Sequence, residues 1–339
     1  MRVVTMGEMM IRFMPKGNYR IEQANEFEAY YGGDEAIVAA SLSRYGVDSR
    51  YITKLPENIL GDTAIRKLKE QGIDTSYIAR GGERLGINFY ENGASVRPSI
   101  VIYDRKNSAI SEATPEDFNF DEIFKDADWF HVSGITPAIS DSAAKLVEIA
   151  MQTAKKHGLT VSVDLNYRSK LWSIEKAQSV MIPLMKYVDV CIGGAEDAQK
   201  VLGYNNPSID LGGDDHNIEA YKVVFKDLCD MFGFKYVAST LRESHSASDN
   251  SWAALLYDGK EFYHTKKYKI HLVDRGGGGA SFSGALIYCV LQGFDIQKAG
   301  EFSVAASALK QTVMGDFNLV TVKEVEALAG GNASGRVQR

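Results

Sequence analysis

Short apolar runs typical of buried β-strands recur along the chain, among them VVTMGE, SRYITKL, ADWFHVSG, TVSVDLN, YVDVCIG and KYVAST. Segments in which apolar residues have helical spacing lie between them. One is EAIVAASLSRYG, which we expect to end at Gly46, and another is TAIRKLKEQG, which we expect to end at Gly72. Strands that alternate with helices are typical of a parallel sheet with helices on both faces. The pattern therefore predicts an α/β fold.

Two regions interrupt this alternation, at about residues 11–33 and 86–105. Both are extended and rich in turn residues, without helical periodicity. They predict a small second β-sheet beside the main one, placed as a lid, within a single domain of residues 1–330. We expect the segment NNPSIDLGGDDHN, at 205–217, to be an exposed loop and the tail 331–339 to be poorly ordered.

Composition excludes several classes of partner. The chain has 339 residues, of which 45% are hydrophobic, enough for one large α/β domain or two small domains. Its net charge of −6 comes from interspersed charges without a long basic run, so we expect no nucleic-acid partner. The longest apolar runs, such as ALIYCVL, are too short to cross a bilayer. The first residues lack the apolar core of a signal peptide, so we expect a cytoplasmic protein that does not bind membranes.

Cysteine and histidine do not indicate a metal site. Cys191, Cys229 and Cys289 lie far apart and match neither a metal-ligand spacing nor a disulfide framework, so we expect buried thiols. The six histidines include no HExxH or similar pair. We therefore predict no metal bound by a cluster of protein ligands.

The stretch VDRGGGGASFSG, residues 273–284, indicates an anion site. It follows the strand-like KYKIHL and precedes ALIYCVLQG, which we expect to be a buried helix. Backbone N–H groups at a helix N-terminus bind anionic oxygens, and the helix dipole assists them. The stretch lacks the Lys-Ser/Thr of a Walker A motif. A purely structural glycine turn would give the same pattern, so the stretch alone leaves both interpretations open.

Two arginine-containing segments indicate the charge of the ligand. VDLNYR ends a predicted strand with Asp164, Asn166 and Arg168, and ligands of open α/β sheets bind beyond the carboxyl ends of strands. VIYDR supplies Tyr103 and Arg105 from the lid region. Arginine grips a carboxylate or phosphate with two parallel hydrogen bonds. Either arginine alone is compatible with a surface role, but both together with a glycine turn favour a polyanionic ligand.

The order of GGDEAIVAASLSRYG, VIYDR, HVSG, VSVDLNYRSKLW, CIGGAEDA, TLRESHSASDN and VDRGGGGASFSG resembles the ribokinase-like (PfkB) sugar kinases, and within them the 2-keto-3-deoxygluconate kinases. The resemblance runs along nearly the whole chain. It implies a ribokinase-like three-layer sandwich, with a mostly parallel central sheet and a small β-sheet lid. It also implies transfer of the γ-phosphoryl group of ATP to a hydroxyl of a small sugar acid, with Mg²⁺.

The resemblance also implies roles for individual residues. The sugar acid would be bound by residues near the lid and the second Gly-Gly turn, namely Gly33, Asp34, Ile37, Asn88, Tyr103, Arg105 and Arg168. The nucleotide would lie near Gly194, Asp197, Thr240 and Arg242. Gly277, Gly278 and Gly279 would form the anion hole for the transferring phosphoryl group.

Several positions depart from the family pattern. The family signature has seven positions: Asp; Thr or Arg; any residue; Gly; Ala or Gly; Gly; and Asp. The last Asp takes the proton of the attacking hydroxyl. Ala280 stands at that last position here. Ile37 stands where the Gly-Gly motif carries an Asn. The NxxE or NEED motif, which organises Mg²⁺ and phosphate, begins with Gly194 and Ala195. In the lid, Asn88 replaces a common Tyr, and Ile100 stands where we expect a polar or basic residue.

These departures predict that kinase activity is lost or very weak, and they put the retention of ATP and Mg²⁺ in doubt. Three explanations stay open: a kinase with another base, a natural pseudokinase, and an engineered pocket for another ligand or reaction. New chemistry would need a base or nucleophile, for which Asp34 and His245, in RESHSAS, are candidates. In each case we expect a small-molecule ligand in the sugar-acid cleft. Exposed edges of the lid sheet would also permit a homodimer or a higher homo-oligomer.

Overall fold

The computed structural model describes residues 1–209, 217–333 and 335. The strands are β1 (Arg2–Met6), β2 (Met10–Met14), β3 (Glu28–Gly32), β4 (Asp48–Ile52), β5 (Lys54–Leu55), β6 (Ala79–Arg80), β7 (Gly86–Glu91), β8 (Ile100–Asp104), β9 (Trp129–Ser133), β10 (Thr160–Asp164), β11 (Val190–Ile192), β12 (Tyr236–Ser244), β13 (Asp249–Tyr257), β14 (Phe262–His264) and β15 (Tyr268–His271). The helices are α1 (Asp34–Arg44), α2 (Ile59–Glu70), α3 (Phe120–Phe124), α4 (Ile135–Ala138), α5 (Asp141–Lys156), α6 (Ile174–Leu184), α7 (Ala195–Leu202), α8 (Ile218–Phe232), α9 (Gly278–Leu291), α10 (Ile296–Lys310) and α11 (Val322–Ala329).

The main sheet has nine strands in the order β14-β13-β12-β11-β10-β9-β1-β4, with β15 also paired to β13. Neighbouring strands from β4 to β12 are parallel. Strand β13 is antiparallel to β12, β14 and β15, which gives the sheet an antiparallel edge. Because parallel strands share a direction, the carboxyl ends of β1, β9, β10 and β11 lie along one edge of the sheet.

Alternating residues of the central strands pack into two separate hydrophobic clusters. Val4 and Phe130 belong to a cluster with residues of α5, α6, α7 and α8, whereas Val3 and Trp129 belong to another with residues of α1, α9 and α10. Successive side chains of a strand point to opposite faces. The sheet is therefore covered by helices on both faces, which confirms the predicted fold class.

The small sheet has the order β3-β2-β7-β8, and its strands fall within the two segments predicted for the lid, apart from Met10 at its start. Arg12 is in register with Asn88, and Asn88 is in register with Tyr103. Residues directly opposite each other in adjacent strands project to the same face. All three line one cleft, so this face of the small sheet is turned toward the main sheet.

Some expectations lie partly outside the described residues. The predicted loop at 205–217 includes residues 210–216, and the predicted tail includes residues 334 and 336–339, none of which the structure describes. Among the described residues, Cys191 and Cys289 are buried and Cys229 is half-buried, all as free thiols. No helix in the described part of the chain has both the length and the apolarity needed to cross a bilayer.

Candidate functional site

A cleft of about 680 Å³ lies between the small sheet and the carboxyl edge of the main sheet. The small sheet contributes Arg12, Asn88 and Tyr103, and the segment after β10 contributes Asn166 and Arg168. Ligands of open α/β sheets bind at this edge. The topology thus brings together side chains that are far apart in sequence.

The glycine turn forms the floor of one end of this cleft. Gly277 has φ +77°, a left-handed conformation that favours glycine, and α9 begins at the next residue. A Cβ atom at Gly277 would lie 2.6 Å from the carbonyl oxygen of Asp316, so only glycine fits there. The first N–H groups of a helix have no partner within it. The turn therefore presents backbone donors at the N-terminus of a fourteen-residue helix, as an anion cradle requires.

One side of this turn is lined by apolar side chains. Ala280, in the first turn of α9, is 1% exposed and shares a hydrophobic cluster with Ile37 and Phe282. A Cβ atom at Gly277 would lie 3.2 Å from Ile37 Cδ1, which shows how closely Ile37 packs against the turn. Neither the Ala280 methyl group nor the Ile37 side chain accepts a proton or a hydrogen bond. The phosphate end of the cleft thus offers backbone N–H groups beside an apolar wall.

Two arginines of the cleft are in different states. Arg105 forms an ion pair with Glu8, whose carboxylate also accepts a hydrogen bond from Ser108 Oγ at 2.8 Å. Arg168 is exposed and forms no ion pair within 4 Å with any carboxylate of the described residues. Its guanidinium donates to the carbonyl oxygen of Tyr167 at 3.1 Å. Arg105 is therefore held in place, whereas Arg168 is available to a ligand anion.

Among the carboxyl groups that line the cleft, Asp34, Glu35, Asp164 and Asp197 have raised pKa values. Burial raises the pKa of Asp34, although Arg168 and Asn166 oppose that shift. Burial, assisted by the nearby Asp34, raises the pKa of Glu35 to about 7. Burial and the charges of Asp34 and Asp197 hold the pKa of Asp164 well above its usual range. Because these groups share one buried region, each favours the protonated form of its neighbours.

The carboxylate of Asp197 is already engaged by the backbone. It accepts hydrogen bonds from the N–H of Gly194 at 3.1 Å and of Tyr167 at 3.2 Å, which caps α7. Burial nevertheless raises its pKa. Gly194 has φ −85°, and a Cβ atom there would lie 3.4 Å from Ser239 Oγ. A side chain would therefore fit at position 194, so the backbone does not require glycine there.

The structure brings nearly all the predicted site residues to this cleft. The residues that line it are Gly33, Asp34, Ile37, Asn88, Tyr103, Arg105, Arg168, Gly194, Asp197, Thr240, Arg242, Gly277, Gly278, Gly279 and Ala280. His245 is not among the described residues that line it; His245 lies just after β12, and its Nε2 is 2.7 Å from Ser251 Oγ. Ile100 is an exposed residue of β8 and does not line it either.

Sequence reasoning missed several charged residues of the cleft, among them Glu8, Arg12, Glu35 and Asp316. Glu8 ends the predicted strand run VVTMGE, and its position beyond a strand's carboxyl end was the available signal. Arg12 and Asp316 carry no local signal, because their partners are distant in sequence.

Two observations test the fit of a nucleotide and a metal. The glycine turn has the geometry of a phosphate cradle, so the phosphates of ATP fit there. Within the described residues, no group of three or more His, Cys, Asp or Glu side chains is placed to hold a metal ion. A Mg²⁺ ion brought by a nucleotide needs only one or two protein carboxylates, and Glu196 and Asp197 are the carboxylates next to Gly194.

The model of the pfkB family carbohydrate kinases matches residues 1–321. The chain belongs to this family. A curated relative, the 2-dehydro-3-deoxygalactonokinase of Haloferax volcanii, is 35% identical over 332 residues, which are 98% of each chain.

Solved structures of two sugar kinases are similar to this chain. The crystal structure of the 2-dehydro-3-deoxygluconokinase of Thermotoga maritima has a TM-score of 0.94 and 49% identity, with 98% of each chain covered. The fructokinase of Xylella fastidiosa with bound ATP has a TM-score of 0.77 and 20% identity, with 98% of each chain covered, and shares the fold. The scaffold is thus that of a sugar-acid kinase of the pfkB family.

Proposed function

We propose that the cleft binds a 2-keto-3-deoxy sugar acid such as 2-keto-3-deoxygluconate (2-dehydro-3-deoxygluconate). Arg168 supplies a cation that forms no ion pair with the carboxylates of the described residues, and Arg105 supplies a second cation held by Glu8. Tyr103 and Asn88 add polar groups from the same face of the small sheet. A sugar acid whose carboxylate lies near the arginines and whose hydroxyls lie near the small sheet matches this arrangement. The similarity to sugar-acid kinases along 98% of the chain supports the same ligand class.

The nucleotide site is the second part of the proposal. The phosphates of ATP would rest on the backbone N–H groups of Gly277–Gly279, which none of the altered side chains removes. Thr240 and Arg242 lie on the same cleft and would contact the remainder of the nucleotide. Mg²⁺ would neutralise the phosphate charge when bound. Its affinity is reduced here because Gly194 and Ala195 supply no ligating side chain.

Phosphoryl transfer itself is lost or very weak in this proposal, and Ala280 is the observation that carries it. The sugar hydroxyl oxygen must bond to the γ-phosphorus while the bond to the β–γ bridging oxygen breaks, and the hydroxyl proton needs an acceptor. The methyl group of Ala280 accepts none, and general-base assistance is worth about 10²–10⁴ in rate.

A second candidate function is an altered pocket for another ligand or reaction. The observation in its favour is the contiguous apolar wall of Ile37, Ala280 and Phe282 beside the anion cradle. A ligand with an anionic group and an apolar body would match this wall better than a sugar acid with hydroxyls at both ends. Natural decay of a kinase and deliberate redesign would both produce such a wall.

Calorimetric titration of the unmodified chain tests the proposal. We expect 2-keto-3-deoxygluconate to bind, and ATP to bind weakly, in separate titrations. Replacing Ile37 by Asn restores a hydrogen-bonding group at the apolar wall and should tighten the binding of the sugar acid. If the sugar acid does not bind, and Ile37→Asn does not restore its binding, the second candidate is favoured.

A further inference from the structure

Arg12 in the small sheet forms a buried ion pair with Asp274, which directly precedes the glycine turn. Arg12 Nη1 lies 3.0 Å from Asp274 Oδ1, and Arg12 Nη2 lies 2.5 Å from Asp274 Oδ2. Both residues are almost fully buried, at 4% and 2% exposure. A two-point contact of this kind fixes both distance and orientation. The pair therefore joins β2 rigidly to the chain that leads into the anion cradle.

The Asp274 carboxylate extends this contact to the backbone of two loops. Its Oδ1 accepts a hydrogen bond from the N–H of Gly276 at 2.9 Å, and its Oδ2 accepts one from Gly315 at 3.0 Å. Lys310, which is fully buried, donates to the carbonyl oxygen of Gly315 at 2.6 Å. The ion pair thus fixes the backbone on both sides of the glycine turn.

The glycine turn packs directly against this pair. A Cβ atom at Gly276 would lie 2.9 Å from Arg12 Nη1 and 2.8 Å from Asp316 Oδ1. Arg12 Nη2 also lies 3.3 Å from Asp316 Oδ1. A shift of the Arg12 guanidinium would therefore displace the turn, since there is no side chain or space between them.

On its small-sheet side, Arg12 lies against two aromatic rings. Its guanidinium carbon is 5.2 Å from the ring centres of both Tyr30 and Tyr90. Tyr30 is in register with Arg12 in β3, and Asn88 is in register with it in β7. The position of the guanidinium is thus determined by three strands of the small sheet.

We propose that Arg12 and Asp274 are positioning residues that couple the small sheet to the anion cradle. Buried ion pairs contribute little net stability compared with well-packed apolar residues, which leaves positioning as the role that this geometry serves. An anion on the glycine turn then orders the small sheet, and a sugar acid held by the small sheet orders the turn. Such coupling is reciprocal. The ordering of each element by its ligand rests on the proposed function, whereas the coupling between the small sheet and the glycine turn does not.

Arg50 offers a matched control. It is also 4% exposed, pairs with two aspartates, Asp74 and Asp126, and lies 4.5 Å from the ring centre of Tyr77. Unlike Arg12, it does not line the cleft. Replacing either arginine should therefore lower the overall stability of the chain. Only replacement of Arg12 should also disturb the anion cradle.

Hydrogen exchange on Arg12→Met and Arg50→Met tests the proposal without ligand. In Arg12→Met we expect protection to fall by at least about tenfold in both β7 and the turn at 275–280, because both lose the same anchor. In Arg50→Met we expect the two segments to lose no more protection than the rest of the described chain. If Arg12→Met folds poorly, Asp274→Asn takes its place, because it keeps the side-chain size. It should show the same loss of protection in both segments. Loss of protection in only one segment, or an equal loss in the Arg50 variant, would overturn the proposal.

A second arm adds sodium tripolyphosphate as the anion. In the unmodified chain it should slow exchange in both the turn and β7, and in Arg12→Met it should slow exchange in the turn alone. Protection of β7 in Arg12→Met would overturn the coupling. If tripolyphosphate does not bind the unmodified chain, the proposed nucleotide site is wrong, and the exchange rates without ligand still decide the coupling.

Discussion

The proposed sugar-acid site and the proposed phosphate site differ in what they offer a ligand. The sugar-acid site presents charged and polar side chains, including Arg105 paired with Glu8 and Arg168, which has no ion pair with any described carboxylate. The phosphate site presents backbone N–H groups beside the apolar side chains of Ile37 and Ala280. Binding through backbone survives side-chain replacement, whereas proton transfer does not. A pfkB scaffold can therefore keep its recognition surfaces and lack its chemistry.

The strongest test of this comparison restores the phosphate site. Ala280→Asp should raise ADP release with 2-keto-3-deoxygluconate by at least about 10², because it supplies a proton acceptor. The triple variant with Ile37→Asn and Gly194→Asn should raise it further, since there is room for a side chain at position 194. A coupled ADP-release assay measures both. No gain in either variant would show that the catalytic position has been misplaced.

The opposite test removes a cation from the sugar-acid site. Arg168→Ala should weaken sugar-acid binding about 10–100-fold, because a charge-assisted hydrogen bond is worth about 1.5–3 kcal/mol. ATP affinity should change much less. Calorimetry measures both, with the exposed helix residue Arg66→Ala as a control. Equal losses for the two ligands would indicate a general disturbance of the cleft.

The carboxyls of the cleft predict a pH dependence of stability. The folded state raises the pKa of Glu35 from 4.5 to about 7, so the folded chain holds a proton that the unfolded chain releases. The contribution of Glu35 to the free energy of unfolding is therefore fully present below pH 4.5 and is lost as the pH rises to 7. Glu35→Gln should reduce the fall in Tm between about pH 5 and pH 8 by about 2–5 °C.

Thermal denaturation at the two pH values measures this effect. The exposed Glu57→Gln serves as the control and should leave the fall in Tm unchanged. The remaining fall in Glu35→Gln would come from Asp34 and Asp164, whose pKa values are also raised by burial. An unchanged fall in Glu35→Gln would mean that Glu35 is ionised in the folded chain.

The smallest effect concerns His245. His245 lies outside the cleft lining and contacts Ser251, so His245→Ala should change the affinities for sugar acid and ATP by less than about twofold, the range of ordinary surface substitutions. Calorimetry with both ligands measures this. A large loss for ATP alone would place His245 at the nucleotide.

The fold was predictable because alternating strand and helix patterns are local, and the two-face packing of Val3 and Val4 follows from them. The cleft residues were predictable from motif order, because strand ends and turns bring them to one edge. The Arg12–Asp274 pair was not, since its members are 262 residues apart and join two sheets. Likewise, the apolar packing of Ile37 against Gly277 depends on how α1 and α9 meet.

The measurement that tests the central claim most directly is the turnover of the unmodified chain with ATP, Mg²⁺ and 2-keto-3-deoxygluconate, followed as ADP release. The account predicts sugar-dependent release at least about 10²-fold below the median enzyme turnover, even at concentrations where calorimetry shows both ligands bound, because position 280 offers no proton acceptor. Turnover near about 10 s⁻¹, the median for enzymes, would contradict it.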